Sequence, residues 1–350
     1  MTINPSFPID ATALLTGLSY AAMRQVMLHQ AQEHELQVVE DSERAVSIEV
    51  PSFGQYRFEP ADEGIRIRIS AALPDRLFML KDSFSETLTH LLPEAARELR
   101  WSDSATLPNR PPNLHFTRVV SITPVGTAFL RVRIKADDLS SFQDDAIHFR
   151  LLLPAADCTE PEWPSLSENG STVWPKGEKA LHRPAYTTRW IDRDSGLMDF
   201  DVFLHDGGRV TNWARAAGTG DLLVIAGPGG GGIPESSKVC IFADETAFPA
   251  VARILETLPA NSEGQVTLVA ALGADCGYPI SAPAGVTVTW LSRTEAHDLA
   301  DRARAAHQEY PDHFLWLASE KSDVTPVREA LKADKPAPGT SYLAAYWSKP

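Results

Sequence analysis

The sequence predicts a multidomain protein: an N-terminal α+β domain, then an antiparallel β-barrel or sandwich, then a parallel-sheet α/β domain. Three observations carry this. Helical periodicity and short strands fill the first hundred residues, alternating strands fill the middle, and continuous apolar runs separated by helical stretches fill the end. A chain of 350 residues has room for two or three separate cores. The expected boundaries are residues 1–106, 113–236 and 237–350.

In the first domain, "YAAMRQVMLHQAQEHEL" has helical periodicity, with Met23, Val26, Met27 and Gln30 along one stripe. The runs "AVSIEV", "GQYRFE" and "GIRIRIS" read as strands. In the last, Ile65, Ile67 and Ile69 face one way and Arg66 and Arg68 the other, as a half-buried antiparallel strand requires. A second helical stretch from Pro74 to Leu99 closes the domain. "SDSATLPNRPPN" follows, rich in proline, serine and asparagine without periodicity, and reads as a linker.

The middle domain alternates. "TAFLRVRI" sets Leu130, Val132 and Ile134 against Arg131 and Arg133. "AIHFRLLLP" places His148 and Arg150 together on a polar face. "LMDFDVFLH" turns Met198, Phe200, Val202 and Leu204 inward, and Asp199, Asp201, Phe203 and His205 outward. Short strands with few helices suit a small barrel or sandwich. In the last domain "KVCIFA", "QVTLVAAL", "VTVTWLS", "HFLWLAS" and "SYLAAYW" are unbroken apolar runs. Helices are expected near 247–258, 295–307 and 323–333, so the sheet is parallel and covered on both faces.

Composition excludes several classes. A formal net charge of −14 argues against a general nucleic-acid binder, which needs clustered cations. No run approaches the apolar length of a membrane span, and the N-terminus lacks a secretory pattern. The three cysteines, Cys158, Cys240 and Cys276, form neither a disulfide framework nor a metal knuckle. A cytoplasmic protein is expected. No metal-ligand spacing, nucleophile elbow or Walker lysine occurs, and His29 and His34 diverge on their helix. "GPGGGG" satisfies G-x-G-x-x-G through Gly227, Gly229 and Gly232, but a strand follows it instead of a helix. A flexible interdomain loop is the expectation.

The stretch with chemical potential is "HRPAYTTR", residues 182–189. A tyrosine ring can lie against a flat cofactor, a hydroxyl can reach its polar edge, and arginine can fork onto pyrophosphate. A barrel strand with aromatic packing and surface arginines explains the same residues without a ligand.

"YTTR", "LH…NWA", "ADETAFPAVARILETLP" and the closing "AAYW" occur in an order that resembles the siderophore-interacting protein family. Those proteins are FAD-dependent ferric-siderophore reductases related to ferredoxin reductases. The resemblance covers residues 113–350; residues 1–106 resemble a domain of unknown role fused to some members. It implies a β-barrel flavin domain followed by a ferredoxin-reductase-like α/β domain. FAD is the implied cofactor, NAD(P)H or a ferredoxin-like protein the donor, and a ferric siderophore the substrate, with no resident metal. By the resemblance Tyr186 stacks on the flavin, Thr187 hydrogen-bonds near its reactive nitrogen, and Arg189 matches the family's second arginine. Phe203, Leu204 and His205 match the strand end beside flavin and adenine; Thr211, Asn212 and Trp213 match the pyrophosphate turn. Thr246 and Trp347, with Tyr346, are implied near the flavin. Arg150 stands at the place of a siderophore-binding lysine, and Lys321 and Arg328 are further substrate candidates.

The chain departs from the family pattern at three places. Pro184 stands where the first arginine is usual, leaving Arg183, three residues before Tyr186, as the candidate cofactor arginine. "HDGGRVTNW" lacks a Gly-Pro, with Arg209 there as the expected replacement phosphate contact. Ser319 replaces a glycine in "WLASE". In "ADETAFPA", Thr246 is the expected N-cap and Pro249 lies in the first helical turn. Two rival functions stay open: a flavin NAD(P)H reductase for another acceptor, and a non-catalytic siderophore-binding module with a decayed flavin site.

Overall fold

The computed structural model describes residues 6–33, 36–51, 53–103, 110–168, 170–295, 298–334 and 339–349. The chain forms two compact units. One comprises Met1–Leu114 with Pro154–His182, the other His115–Leu153 with Arg183–Pro350. Half of the expected linker, residues 104–109, lies outside the described residues.

In the first unit the chain runs β1 (Ile9–Thr16), α1 (Tyr20–Glu33), β2 (Gln37–Asp41), β3 (Val46–Val50), β4 (Gly54–Ala61), β5 (Gly64–Ala71), α2 (Pro74–Leu91) and α3 (Pro93–Glu98). The five strands form one antiparallel sheet in the order β1-β5-β4-β3-β2. Its core is dictated by alternation: Ile65, Ile67 and Ile69 are fully buried, and α1 adds Met23, Met27 and Ala31 while α2 adds Phe78, Phe84 and Leu88. Each such isoleucine stabilises by about 1.5–3 kcal/mol. The helix expected over 74–99 breaks at Pro93, which lacks the N–H that would continue the ladder. The sequence reading missed β1 and β2, whose threonines, acids and exposed valines give no clean alternation. Lys81 is buried on α2 with its ammonium 2.5 Å from Asp103 and over the Trp101 ring, and burial lowers its pKa.

The second unit opens with β6 (Leu114–Val125), β7 (Phe129–Lys135) and β8 (His148–Leu152). An excursion then returns to the first unit. It carries the short pair β9 (Ser165–Leu166) and β10 (Thr172–Val173), and there the Thr172 N–H donates to Asp82. The chain resumes with β11 (Ala185–Thr187), β12 (Trp190–Asp192), β13 (Leu197–Phe203), α4 (Arg209–Ala216) and β14 (Leu222–Gly229). Seven strands follow the order β11-β8-β14-β6-β7-β13-β12. The two outer strands are consecutive in the chain. Between them the Thr188 N–H donates to the Ile147 carbonyl and the Arg189 N–H to the Asp199 carbonyl, so the antiparallel sheet curls into a barrel.

Val132, Ile134, Phe149, Leu151, Met198, Phe200 and Val202 fill the barrel, as the alternation expected. Asp199 and Asp201, expected to be solvent-facing, are instead buried. Arg133 forks onto Asp199 at 2.7 Å, Arg131 forks onto Asp201 at 2.7 and 2.8 Å, and the Tyr278 hydroxyl donates to Asp201. Opposed charge on neighbouring strands lets the outer face be covered without stranding a carboxylate.

The parallel sheet contains β15 (Lys238–Asp244), β16 (Glu263–Ala270), β17 (Gly285–Ser292), β18 (Phe314–Glu320) and β19 (Ser341–Trp347), ordered β17-β16-β15-β18-β19. Helix α5 (Phe248–Thr257) packs Val251, Ile254 and Leu255 on Val239 and Ile241. On the other face α6 (Leu299–Glu309) and α7 (Lys321–Asp334) cover Cys240, Phe242, Leu315 and Leu317. The strand order reverses at β15, and the carboxyl ends beside that switch are where open α/β sheets take ligands.

The glycine run ends β14 at Gly229 and leaves it as an irregular segment that packs closely: a Cβ on Gly230 would stand 2.7 Å from the His148 ring, and one on Gly231 2.3 Å from the Tyr342 ring. Only glycine admits those approaches.

Candidate functional site

The β11–β12 corner holds the first group of side chains. Tyr186 is half-buried, its ring edge-on to Phe200 at 5.6 Å, and Phe200 in turn stacks on Trp213 of α4 at 6.4 Å. Burial raises the Tyr186 phenol pKa. Thr188 is fully buried, and its carbonyl accepts from Arg253 at 2.6 Å. Arg189 is buried as well. Its terminal nitrogens meet both carboxylate oxygens of Glu256 on α5 at 2.7 and 2.6 Å, while its Nε is a buried donor without a protein acceptor.

Beside this corner, Thr187 begins a buried polar chain. Its hydroxyl lies 3.2 Å from His148 Nδ1, and His148 Nε2 lies 3.1 Å from the Tyr346 hydroxyl. The imidazole is flanked by Tyr342, stacked at 6.5 Å, and by Tyr346, edge-on at 5.6 Å. Burial, together with the Arg253 charge, pushes the His148 pKa down to about 4, against an opposing pull from the Tyr186 carbonyl. Around pH 7 the ring is neutral, with one nitrogen donating and the other accepting. The sequence placed His148 on a polar barrel face. Alternation alone did not show that β19 and the glycine run cover that face.

The turn before α4 is the second group. Gly208 starts the helix with no side-chain cap, and a Cβ there would meet the His205 ring at 2.7 Å. Thr211 is buried with its hydroxyl between the His205 N–H and the Phe203 carbonyl, at 3.3 and 3.5 Å, so it stitches the strand end to the helix. Arg209, Asn212 and His205 are exposed, and Leu204 and Phe203 half-buried, the latter against Phe129 at 5.3 Å.

The third group stands at the carboxyl ends of β15, β18 and β19. Asp244 is buried. One oxygen accepts from the Thr246 N–H at 3.0 Å and the Thr246 hydroxyl at 2.5 Å; the other accepts from Trp347 Nε1 at 2.6 Å and the Ser319 hydroxyl at 3.2 Å. Asp244, not Thr246, is therefore the cap of this turn, because the carboxylate stands before the 3-10 turn Glu245–Ala247 that precedes α5. Pro249 lies in the first turn of α5, as expected. Thr246 and Trp347 spend their polar atoms on this carboxylate. Ser319, in the place of the family glycine, joins it: its single hydroxyl hydrogen is shared between Asp244 and Asp323, at 3.2 and 2.7 Å.

Among the candidate substrate cations, Arg150 is exposed and donates to the Arg183 carbonyl at 2.9 Å. Arg183 is exposed near it. Lys321 is exposed at the start of α7, whereas Arg328 is half-buried and donates to the Leu343 carbonyl at 2.6 Å. Among the described residues no group of His, Cys, Asp and Glu is arranged to hold a metal ion, and no helix is long and apolar enough to cross a membrane.

Comparison with known proteins agrees with this architecture. Residues 118–232 match the model of the siderophore-interacting FAD-binding domain, and residues 236–350 that of the siderophore-interacting protein. The chain is 30% identical to an NADPH-dependent ferric-chelate reductase of Escherichia coli over 237 residues, which is 65% of this chain and 91% of that one. It is 28% identical to the ferric vibriobactin reductase of Vibrio cholerae over 64% of this chain and 86% of that one. The solved siderophore-interacting protein SipS of Aeromonas hydrophila superposes with a TM-score of 0.56 at 25% identity, covering 69% of this chain and 92% of the other. With the flavin-domain and α/β-domain models met in chain order, and a relative matched over nine-tenths of its length, the chain belongs to the siderophore-interacting protein family and is an FAD-dependent oxidoreductase.

Proposed function

We propose that the protein reduces a ferric siderophore with electrons from NADPH and releases Fe(II) in the cytoplasm. The observation that carries the reading is the juxtaposition, within one unit, of the half-buried Tyr186 face, the Thr187 hydroxyl and an uncapped helix start at Gly208.

These residues fit FAD. The Gly208 turn is a cradle that a Cβ would fill, and the first amides of α4 present partial positive charge to a pyrophosphate. Arg209, exposed at that turn, adds a full charge where the family's first arginine is replaced by Pro184. Tyr186 offers a ring face supported from behind by Phe200, and Thr187 offers a hydroxyl to the polar edge of the isoalloxazine. Arg189, Thr246 and Trp347 serve the site at one remove, since Glu256 holds the terminal nitrogens of Arg189 and Asp244 holds the Thr246 hydroxyl and Trp347 Nε1. When bound, FAD supplies the exchange between two-electron donation by a reduced nicotinamide and one-electron delivery to chelated Fe(III).

The ferric complex is substrate. Catecholate complexes are anionic, so Arg150 and Lys321 attract them, with Arg328 held by Leu343. Fe(II) is held weakly by hard oxygen donors, so the metal leaves after reduction. No side chain acts as nucleophile or as the central acid or base.

The test is an absorption spectrum of the purified protein. Flavin bands are expected, bleaching with NADPH and returning when a ferric catecholate is added with an Fe(II)-specific chelator that develops colour. A colourless protein that takes up no added FAD overturns the reading.

A further inference from the structure

The chain Thr187–His148–Tyr346 can hold its hydrogens in two ways. Resting on the reading that Thr187 faces the flavin, we propose that His148 is a positioning residue whose neutral tautomer sets whether the Thr187 hydroxyl donates to the cofactor or accepts from it.

Thr187 brings one hydroxyl hydrogen, Tyr346 another, and a neutral imidazole one more, and the Tyr346 hydroxyl is bonded in turn to that of Tyr342. With the imidazole hydrogen on Nδ1, His148 donates to the Thr187 oxygen across 3.2 Å and accepts from the Tyr346 hydroxyl across 3.1 Å. The Thr187 hydrogen is then turned away from His148 and is available to an acceptor. With the hydrogen on Nε2, His148 donates to the Tyr346 oxygen and accepts from Thr187. The Thr187 oxygen then offers a lone pair to a donor. Both arrangements contain the same hydrogens and no net charge, with the Tyr342 hydroxyl donating to Tyr346 in the first and accepting from it in the second.

An oxidised isoalloxazine presents a bare nitrogen at its reactive position, an acceptor. The reduced ring presents an N–H there, a donor. A fixed hydroxyl would satisfy one redox state and oppose the other; a hydroxyl that reverses with the tautomer serves both. The surroundings keep the device neutral. His148 is buried beneath Tyr342 and the glycine run, and the Arg253 guanidinium disfavours a second proton. The oxidised ring accepts at that position and needs a donating Thr187, so the Nδ1 tautomer belongs to the oxidised enzyme and the Nε2 tautomer to the reduced one.

The test uses the holoprotein with nitrogen-15 in its histidines. The chemical shifts of the two His148 nitrogens report which one carries hydrogen before and after reduction by dithionite. The expected result is hydrogen on Nδ1 in the oxidised protein and on Nε2 in the reduced one. The same nitrogen protonated in both states, or an imidazolium, overturns the proposal. A second measurement is the ratio of affinities for reduced and oxidised FAD in Tyr346→Phe, which lacks the oxygen that the Nε2 tautomer needs. A tenfold fall of that ratio is expected, which lowers the two-electron midpoint potential by about 30 mV. A merely structural tyrosine weakens both redox states alike, and an unchanged ratio overturns the proposal. Protein that binds FAD and reduces ferric chelates while the tautomer stays put sinks this inference alone; protein that takes up no FAD sinks the functional reading too.

Discussion

Arg189 and Glu256 meet through two hydrogen bonds of 2.7 and 2.6 Å, fixing the barrel corner that carries Tyr186 and Thr187 to helix α5 of the parallel-sheet half. The arginine is buried and the glutamate half exposed, so the guanidinium depends on this partner more than the carboxylate does. Removing the partner of a buried charge is costly, whereas solvent screening tempers the loss of an exposed one. Glu256→Gln is expected to cost about 1–3 kcal/mol in urea unfolding. Arg189→Lys, which keeps the charge and loses the fork, is expected to fall in the same range. FAD affinity is expected to change less than threefold in either, as a role in joining the halves requires; a hundredfold loss of FAD with unchanged stability contradicts it.

Tyr186 tests the flavin face directly. Its ring is already supported by Phe200, and the phenol has no role in the stacking itself. Tyr186→Phe is expected to retain FAD affinity within about threefold. Tyr186→Ala, which removes the face, is expected to weaken it by about 1–2 kcal/mol, or five- to thirtyfold. Titration of apoprotein followed by flavin fluorescence quenching gives both numbers. Equal affinities for the two variants would place the isoalloxazine elsewhere.

Much of this arrangement was legible before the fold was known, and the parts that were not share a cause. Ile65, Ile67, Ile69, Val132, Ile134 and Phe200 went where a period of two sent them, because core burial needs only the residue type and its parity. The strands and helices of the last domain were found because unbroken apolar runs have few alternative uses. What stayed hidden depended on partners distant in sequence. Asp199 and Asp201 read as solvated until Arg133, Arg131 and Tyr278 were placed over them. Arg189 read as a cofactor arginine by resemblance, and its pairing with Glu256, 67 residues away, had no signal in the sequence. The close packing of the glycine run on His148 and Tyr342 stayed hidden because composition reports conformational freedom and is silent on what packs against a missing Cβ.

Asp244 gathers four donors from three segments at the sheet's carboxyl edge. An asparagine is nearly isosteric but turns one acceptor oxygen into a donor facing either Trp347 Nε1 and the Ser319 hydroxyl or the Thr246 N–H. A buried donor–donor conflict costs roughly 2–4 kcal/mol. Asp244→Asn is expected to lose that much stability and to speed amide exchange in β19 before the rest of the sheet. Uniform protection across β15, β18 and β19 in the variant would show that the carboxylate does not hold the chain's last strand.

His148 gives the fold a pH dependence whose sign follows from burial. Its pKa is depressed from 6.5 to about 4 in the folded protein, so between those values the unfolded chain binds a proton that the folded one refuses. The groups facing the ring agree with this direction: the Arg253 charge opposes a second proton, Thr187 and Tyr346 are neutral, and only the Tyr186 carbonyl favours protonation. The contribution is therefore complete above about pH 6.5 and is lost as the pH falls towards 4. At 1.36 kcal/mol per pH unit the loss amounts to about 3 kcal/mol. Urea unfolding at a series of pH values is expected to show this decline in the natural protein and a shallower one in His148→Gln, whose side chain cannot titrate. Parallel declines in the two proteins would mean that other groups carry the acid sensitivity and that His148 titrates freely where it lies.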